Sequence, residues 1–509
     1  MYCILTLQFY YYINSMKLSK IIPVRIIVTG KIFMHLLAAF ILASPVLAQK
    51  NSKPKNILIL LSDDQTFNTI HALGQKEIHT PNLDKLVNEG FSFTQAHVMG
   101  GHQGAVCIPS RVMLLAGRYV NRLPNDGSFI PDSLISLPEK LQQYGYTSFH
   151  TGKWHSDKAS HNRIFKTGDN IFLGGMHFIE DGGQVHPTVY HYDSSGNYSK
   201  ELSWKSDTFS TKLYADAAIH FLQSNQAKQN PFICYVAFTS PHDPRTPPSK
   251  FESLYPTKNI SLPANFLPEH PFNNGDLNVR DELLLPRPRY PEDVKKQIAL
   301  YYGMVSEMDE QVGRIMDVLK KNSLSENTIV VFAGDNGLAV GHHGLLGKQN
   351  LYEHAIRVPL IFSGPEIPKN KRSDAFVYLS DIAPTLYDFL QIKCPPTTEA
   401  KSLKPVISQQ KTSVRSAIYN VYGHWSRSIK TEDGYKLILY NVDGKQTAQL
   451  FNLKADPDEM HNLANDPKFN ERIKEMRIRL KQEMTEAHDD LNIELPDWGR
   501  KPNQKGHGS

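Results

Sequence analysis

Short runs of apolar residues recur along the chain, and each is followed directly by polar or ionisable side chains. Four runs lie in NILILLSDDQ, YTSFHTGKWH, PFICYVAFTSPHDP and NTIVVFAGDNG, which end at Asp63 and Asp64, at Lys153 and His155, at His242 and Asp243, and at Asp335 and Asn336. Continuous rather than alternating apolar character is typical of parallel strands that are covered on both faces. Because open α/β sheets bind their ligands at the carboxyl ends of the strands, the pattern predicts one shared polar site.

Segments with helical character lie between these runs. In TPNLDKLVNEG, Thr80 is expected as the N-cap, Pro81 at the first helical position and Gly90 as the stop. Further helices are expected in LPEKLQQYG, FSTKLYADAAIHFLQSN, PEDVKKQIALYYGMVSEMDEQVGRIMDVLKKN and SDIAPTLYDFLQ. The alternation predicts an α/β fold with a large, mostly parallel sheet sandwiched by helices, over residues 49–400.

After about Lys401 the pattern changes to short runs separated by turn signals, in SAIYNVYG, WSRSIKTED, YKLILYNV and TAQLFNL. These predict a smaller C-terminal α+β subdomain, residues 401–509, built on an antiparallel sheet with a final helix at about 467–483. The Pro-rich stretch 283–293 and the long segment before it are predicted to run over the surface.

The N-terminus has the pattern of an export signal over residues 1–48. Cations lead into the apolar run HLLAAFILASPVLA, which ends in small residues suited to cleavage before Gln49. The run is shorter than the ~20 residues of a membrane-spanning helix, so no stable membrane insertion is expected, although an uncleaved anchor stays open. Met1, Met16 and Met34 are all candidate start residues. We expect an exported protein, periplasmic or secreted.

Charge and cysteine content exclude two classes of protein. The formal charge is +5, but without the four leader cations 52 basic residues face 51 acidic ones, so no nucleic-acid partner is expected. Beyond the leader there are only Cys107, Cys234 and Cys394, too few for a disulfide scaffold. Whether Cys234 and Cys394 pair is open, and Cys107 taken alone is equally well a buried packing residue.

Asp63, Asp64, Asp335 and Asn336 together form an all-oxygen set of potential metal ligands. Three carboxylates and an amide suit a hard cation, with Ca²⁺ favoured over Mg²⁺ if the coordination is irregular. Each pair taken alone is more simply a turn or a helix cap. The GHHG sequence at 341–344 lacks partners at ligand spacing and does not indicate a zinc site.

Six motifs in order resemble those of a known family. CIPSR followed by VMLLAGR closely resembles the Cys-x-Pro-Ser-Arg signature of type I, formylglycine-dependent sulfatases of the alkaline phosphatase superfamily. ILLSDDQ, TGKWH, SPHDPR, AGDNG and GLLGKQNLYEHAIRVPLI match further family motifs, and the resemblance covers roughly residues 55–465. Ala116 before Gly117 and Arg118 departs from the usual Thr-Gly-Arg-like triplet, outside the residues that carry chemistry.

The resemblance implies that a sulfatase-maturing enzyme oxidises Cys107 to formylglycine, with Pro109 and Arg111 in its recognition signal. The aldehyde hydrate attacks sulfur with one hydroxyl and expels sulfate with the other. By the same resemblance Ca²⁺ is held by Asp63, Asp64, Asp335, Asn336 and the formylglycine at 107, and Asp335 takes the attacking proton. Arg111 and Lys153 steady the hydrate, His155 assists its regeneration, and His242 and Lys348 bind sulfate and protonate the leaving oxygen.

The motifs are more similar to those of bacterial carbohydrate sulfatases than to animal arylsulfatases, which implies a sulfated glycan or oligosaccharide as substrate. Candidates for the sugar subsite are Arg245, His343, His102 and His161, with Arg163 and His177 as further possibilities. The alternatives are a phosphodiesterase or phosphonate monoester hydrolase, for which a His in place of Asn336 is more usual, and a non-catalytic glycan binder. The sugar, the sulfated carbon, exo or endo action and the oligomeric state stay open.

Overall fold

Four parallel strands form the centre of a ten-stranded sheet in the computed structural model, which describes residues 54–501. The strands are β1 (Asn56–Ser62), β2 (Gly90–His97), β3 (Gly100–Gly101), β4 (Thr147–Lys153), β5 (Thr167–Phe172), β6 (Thr188–Tyr190), β7 (Ser203–Lys205), β8 (Phe232–Ala237), β9 (Thr328–Gly334), β10 (Leu360–Ser363), β11 (Lys371–Tyr378), β12 (Ala417–Tyr422), β13 (Ser426–Thr431), β14 (Tyr435–Val442) and β15 (Lys445–Asn452). The predicted signal peptide lies outside the described residues.

Helices connect these strands and cover the sheet. They are α1 (Pro81–Asn88), α2 (Cys107–Ala116), α3 (Leu137–Gln142), α4 (Lys158–Ile164), α5 (Ser210–Gln223), α6 (Asn225–Gln229), α7 (Ser249–Glu252), α8 (Pro291–Lys321), α9 (Glu353–Ile356), α10 (Ile382–Leu390), α11 (Lys404–Ile407) and α12 (Asn470–Glu486). Among residues 54–501, no helix combines the length and the apolar character needed to cross a membrane.

The large sheet has the order β11-β2-β10-β9-β1-β8-β4-β5-β6-β7. β1 pairs in parallel with β8 and β9, and β8 pairs in parallel with β4, so the four runs that end in polar residues are neighbours. β10 runs antiparallel to β9 and β2, and β6 runs antiparallel to β5 and β7. The predicted mostly parallel α/β sheet is confirmed.

Both faces of the large sheet are buried. Ile57, Ile59 and Leu61 face one apolar core, whereas Leu58 and Leu60 face the other. α2 and α10 pack into the first core, and α1, α5 and α8 pack into the second. Covering on both faces explains why the central strands are continuously apolar.

The small sheet has the order β15-β14-β13-β12-β3. Its four C-terminal strands pair antiparallel, as expected, and α12 packs against them. The helix begins at Asn470, three residues after the expected start, because Pro467–Phe469 forms a separate 3₁₀ turn. The fifth strand, β3, was not expected: Gly100 and Gly101 pair with Val421 and Tyr422, a few residues before α2 begins. The division at 400/401 stays a prediction, and the small sheet shares its apolar core with the large one.

The expectation of a surface excursion before α8 is wrong at its charged residues. Asp281, Glu282 and Arg289 are 6%, 3% and 1% exposed, while Leu283 and Tyr290 beside them point to solvent. Charged side chains are buried only where they are paired; Glu282 pairs with Arg289 and Asp281 with Arg280, and both carboxylates also accept hydrogen bonds from the loop 346–349. Local sequence carries no signal of such distant partners.

Candidate active site

The loops after the four central strands bring their polar side chains to one edge of the sheet. The backbone N–H of Asp335 donates to Ser62 O at 3.0 Å, and that of Asp63 donates to Ser240 O at 3.0 Å, so the loops continue the strand pairing. Asp64 has a left-handed backbone with φ 64°. Such strained conformations cluster at functional sites because surrounding contacts must hold them.

Asp63, Asp64, Asp335 and Asn336 form a buried oxygen cluster, each at most 1% exposed. Asp63 Oδ1, Asp64 Oδ2 and Asn336 Oδ1 are buried and accept no hydrogen bond. Burying a polar atom without a hydrogen bond costs free energy, and a bound cation would offset that cost for these three oxygens. Ligand atoms of Asp63, Asp335 and Cys107 all lie within 4.8 Å of one another.

Cys107 is the first residue of α2 and is 1% exposed. Its Sγ lies 3.3 Å from His155 Nδ1, 3.6 Å from Lys153 Nζ and 4.0 Å from Lys348 Nζ. The start of a helix presents unpaired N–H groups and the positive end of its dipole, which favours an anion at this point.

The three cations at the site are each paired with a carboxylate. Lys153 Nζ lies 2.7 Å from Asp63 Oδ2, and Lys348 Nζ lies 2.7 Å from Asp64 Oδ1. Arg111 donates from Nε to Asp335 Oδ2 at 2.9 Å, and its Nη2 lies 2.9 Å from the same oxygen. The cations hold the carboxylates in place on the side that faces the helix start.

The two histidines differ in their surroundings. Burial lowers the pKa of His155 well below its ordinary value, and the charges of Lys153 and Arg111 act in the same direction, so the ring is neutral. Burial alone would lower the pKa of His242, but Asp64 and Asp243 outweigh it and raise the pKa. His242 Nε2 lies 3.6 Å from Asp64 Oδ2.

The carboxylates and the thiol are also perturbed. Burial raises the pKa of Asp335, and the neighbouring Asp63 adds to the increase. Burial opposes ionisation of Asp63 as well, but Lys153, His242 and Arg111 overcome it and lower its pKa. Burial raises the pKa of the Cys107 thiol, so the unmodified side chain is a neutral thiol.

Residues 55–392, two thirds of the chain, match the family described as Sulfatase. The chain belongs to the sulfatase family. It is therefore a sulfuric ester hydrolase. Residues 341–486 also match the family described as N-sulphoglucosamine sulphohydrolase, C-terminal, which covers the four C-terminal strands of the small sheet of this sulfatase.

Three similar proteins place this sulfatase among its relatives. It is 28% identical to the N-acetylglucosamine-6-O-sulfatase of Bacteroides thetaiotaomicron, over 89% of this chain and 90% of that protein. A solved sulfatase-fold structure in complex with its substrate D-glucosamine-2-N,6-O-disulfate has a TM-score of 0.68 and 23% identity, over 86% of this chain and 99% of that chain. The phosphonate monoester hydrolase of Agrobacterium radiobacter has a TM-score of 0.67 and 21% identity, over 88% and 100%. The two structures show that the fold is shared.

Two candidates for the sugar subsite are histidines whose rings already contact other side chains of the sulfatase. His161 is 0% exposed and lies between His150 Nδ1, at 2.9 Å, and the Tyr198 hydroxyl, at 3.0 Å. His343 stacks on Tyr352 with ring centroids 4.1 Å apart. The structure does not bring these two rings into the cluster around Cys107.

The other candidates lie in separate contacts. Arg245 donates to Gln297 Oε1 at 2.7 Å, and its Nε is buried without an acceptor. His102 Nε2 lies 2.7 Å from Asn121 Oδ1, on the loop that leads to Cys107. Arg163 and His177 are engaged with Glu139 and with the Tyr214 hydroxyl, respectively. The sugar subsite stays a prediction for all six candidates.

Two residues that support the site were missed in the sequence, and a third, Asp243, was placed at a strand end without an assigned role. The Tyr301 hydroxyl donates to Asp64 O at 2.6 Å, and Gln184 Nε2 donates to His242 O at 2.8 Å. Asp243 accepts from His242 Nδ1, with 2.8 Å to its backbone oxygen and 3.2 Å to Oδ1. Only Asp243 carried a signal, its position next to His242; the other two lie in segments with no chemical pattern. Cys234 and Cys394 are free thiols.

Proposed function

We propose that this sulfatase hydrolyses sulfate esters of a sulfated carbohydrate, using Ca²⁺ and a formylglycine made from Cys107. The observation that carries the proposal is the set of three buried, unpaired oxygens beside Cys107, flanked by Lys153 and Lys348. Negative side chains on one side and cations on the other match a site that holds a metal and an anionic ester together.

The residues present fit the cation. Asp63, Asp64, Asp335 and Asn336 would hold it, because Ca²⁺ prefers a large set of oxygen ligands and three of their buried oxygens accept no hydrogen bond. When bound, the cation would act as a Lewis acid on a sulfate oxygen and offset the charge of the carboxylates.

The surroundings of Cys107 also fit the modification. A formylglycine hydrate would supply two hydroxyls on one carbon, one to attack sulfur and one whose deprotonation allows sulfate to leave; a thiol lacks the second. The neutral His155 ring, 3.3 Å from Sγ, is placed to take a proton from a hydroxyl at this position. The Asp335 carboxylate is the proposed acceptor of the attacking proton.

The cations and His242 act on the sulfate ester itself. Lys153 and Lys348 reduce the cost of negative charge on the transferring sulfuryl group, the same principle as in phosphoryl transfer. His242 and Lys348 supply the proton that the leaving alcohol oxygen needs. Arg111, paired with Asp335, keeps that carboxylate aligned with the helix start.

A carbohydrate substrate is supported by the sequence similarity to the N-acetylglucosamine-6-O-sulfatase of Bacteroides thetaiotaomicron. The test is an assay of purified, matured protein on an aryl sulfate, a panel of sulfated oligosaccharides and a phosphodiester. We expect desulfation of one or more oligosaccharides. Turnover dominated by the phosphodiester would favour the phosphonate monoester hydrolase alternative, and aryl sulfate turnover alone would contradict the carbohydrate substrate.

The proposal includes a maturing partner and export. A formylglycine-generating or sulfatase-maturing enzyme would oxidise the –CH₂SH of Cys107 to –CHO, with an oxidant that the maturing enzyme supplies and with loss of the sulfur. Mass spectrometry of the peptide that spans Cys107 detects the product, and an entirely unmodified peptide from active protein would contradict the modification. Cell fractionation tests export, with the protein expected in the periplasm or medium.

A further inference from the structure

A short turn, Arg280–Leu284, lies between the loops that carry His242 and Lys348. It belongs to the segment that the sequence places on the surface, but Asp281 and Glu282 are 6% and 3% exposed. Buried carboxylates at this position need an explanation, because burying them costs free energy unless they are paired.

One side of the turn holds the imidazole of His242. His242 Nδ1 donates to the carbonyl of Asp243 at 2.8 Å, and Asp243 Oδ1 lies 3.2 Å from the same nitrogen. Arg280 in turn binds both carboxylate oxygens of Asp243, with Nη2 at 3.0 Å from Oδ1 and Nη1 in close contact with Oδ2. Because Nδ1 is occupied, Nε2 is the nitrogen that faces Asp64 and the site.

The other side of the turn holds the backbone of the Lys348 loop. Glu282 accepts hydrogen bonds from Leu346 N at 3.0 Å and from Gly347 N at 2.8 Å. Arg289 pairs with Glu282 at 2.7 Å. A Cβ on Gly347 would lie 3.0 Å from Asp281 Cβ and 3.2 Å from Glu282 Oε1, so the loop lies directly on the turn.

Asp281 joins the two sides. Its Oδ1 accepts from Arg280 at 2.6 Å, and its Oδ2 accepts from Gln349 Nε2 at 2.9 Å. Gln349 Nε2 also lies 3.1 Å from Gly104 O, on the loop before Cys107. A continuous chain of hydrogen bonds therefore links the loop of His242 to the residues next to Lys348 and to the loop of the nucleophile.

A direct role for Arg280 as a second anion-binding group is the obvious alternative, since its side chain is 41% exposed. Its contacts argue against it. Arg280 already donates to the carboxylates of both Asp243 and Asp281, so its guanidinium is engaged within the turn. The guanidinium fork instead suits simultaneous binding of two planar carboxylates.

We propose that the turn formed by Arg280, Asp281 and Glu282 is a positioning element that fixes His242 and Lys348 relative to each other. The inference rests on the proposed function, in which these two side chains bind sulfate and protonate the leaving oxygen. It predicts that the turn matters for esters whose leaving oxygen needs a proton, such as sugar alcohols. An aryl sulfate, whose leaving group is stable as an anion, depends on it much less.

The main experiment compares Arg280→Ala, Arg280→Lys and the control Arg287→Ala, an exposed residue of the same segment that contacts Asn278. On a sulfated sugar, kcat of Arg280→Ala is expected to fall roughly 10- to 100-fold, the usual range for a group that orients another. On an aryl sulfate the fall in kcat should be less than about 3-fold. Arg280→Lys should recover only part of the loss, because it keeps the positive charge but cannot bind both carboxylates in fork geometry. Arg287→Ala should match the wild type.

A double-mutant cycle separates positioning from general damage. If Arg280 acts through His242, Arg280→Ala should have almost no further effect on sugar sulfates in a His242→Ala background. Equal losses on both substrates, or a loss that persists without His242, would overturn the inference. Asp281→Asn, which removes the charge at nearly constant shape, gives the same comparison if Arg280→Ala unfolds. An enzyme that turned over phosphodiesters rather than sulfates would contradict the proposed function, and the cycle would then be measured on the phosphodiester.

Discussion

Cys107 is placed by the residues that follow it in the first turn of α2. Pro109 lies where backbone N–H groups have no partner within the helix, so its missing donor costs nothing there. Arg111 is four residues after Cys107 and lies on the same face, from which it reaches Asp335 at 2.9 Å. The spacing of the signature thus has a structural reason in addition to its proposed role as a modification signal.

Replacing Cys107 with Ala removes the proposed nucleophile but only a small buried group. We expect turnover to fall by more than about 10⁴-fold, as for loss of other covalent nucleophiles. Steady-state assays and thermal unfolding measure the two effects. Cys394→Ala is the matched control, since Cys394 is also a free thiol; residual turnover comparable to this control would remove Cys107 from the mechanism.

Glu307 in α8 is a buried carboxyl, and its Oε2 accepts no hydrogen bond. Burial raises its pKa to about 8. In the unfolded chain its pKa is near 4.5, so between these values the folded state binds the extra proton and stability falls as pH rises. Glu307→Gln should therefore stabilise the protein at pH 8 more than at pH 5, by up to about 1.4 kcal/mol per pH unit. Denaturant unfolding at both pH values checks the sign, and a difference that shrinks with rising pH would contradict it.

Some of the site could be predicted at the residue scale and some could not. Asp63, Lys153, His242 and Asp335 follow apolar runs, and parallel strands bring such positions together whatever the intervening sequence. Arg280 has its role only through contacts with Asp243 and Asp281 that the path of the loops creates. Its sequence, with prolines and exposed apolar residues nearby, is typical of a surface segment.

At the scale of elements, the strands of the large sheet that the pattern predicts are those buried on both faces. β1, β4, β8 and β9 were predicted because burial on two sides requires continuous apolar residues. β3, β6 and β7 are two or three residues long, too short for any periodicity, and they were not predicted. β3 nevertheless joins the small sheet to the loop before Cys107.

Gly100 is the residue that allows this junction. It has φ 97°, and a Cβ would lie 1.9 Å from Val421 O. Gly100→Ala should destabilise the protein by roughly 3 kcal/mol or more, because the pairing of β3 with β12 cannot form without a backbone shift. Gly145→Ala is the control: its φ is 81°, with nothing within 4 Å of the added Cβ, so only the conformational cost of about 1–2 kcal/mol applies. Equal unfolding free energies for the two variants would show that the close approach is unimportant.

At the scale of the whole molecule, loops far apart in sequence meet at the oxygen cluster. Asp63 and Asp64 follow β1, and Asp335 and Asn336 follow β9, so a cation there would tie neighbouring strand ends together. Binding to the folded state alone raises the free energy of unfolding, by about 2.7 kcal/mol at 100 times the dissociation constant.

Added Ca²⁺ should therefore raise the Tm, and chelation should lower both the Tm and the activity. Asp335→Asn should weaken the Ca²⁺-dependent shift in Tm together with turnover, since it removes one charge from the set. Differential scanning calorimetry over a Ca²⁺ titration measures this without any substrate. Full activity after exhaustive chelation would contradict the metal assignment.

The pairing of β3 with β12 also sets an order of events during synthesis. Asn420 donates to Val98 O, and 322 residues separate the two in the sequence. The loop before Cys107 therefore cannot make this contact until β12 has been synthesised. In the finished fold Cys107 is 1% exposed and out of reach of another enzyme. If Cys107 is converted to formylglycine as proposed, we expect the conversion to precede the synthesis of β12, while the cysteine is still accessible to the maturing enzyme.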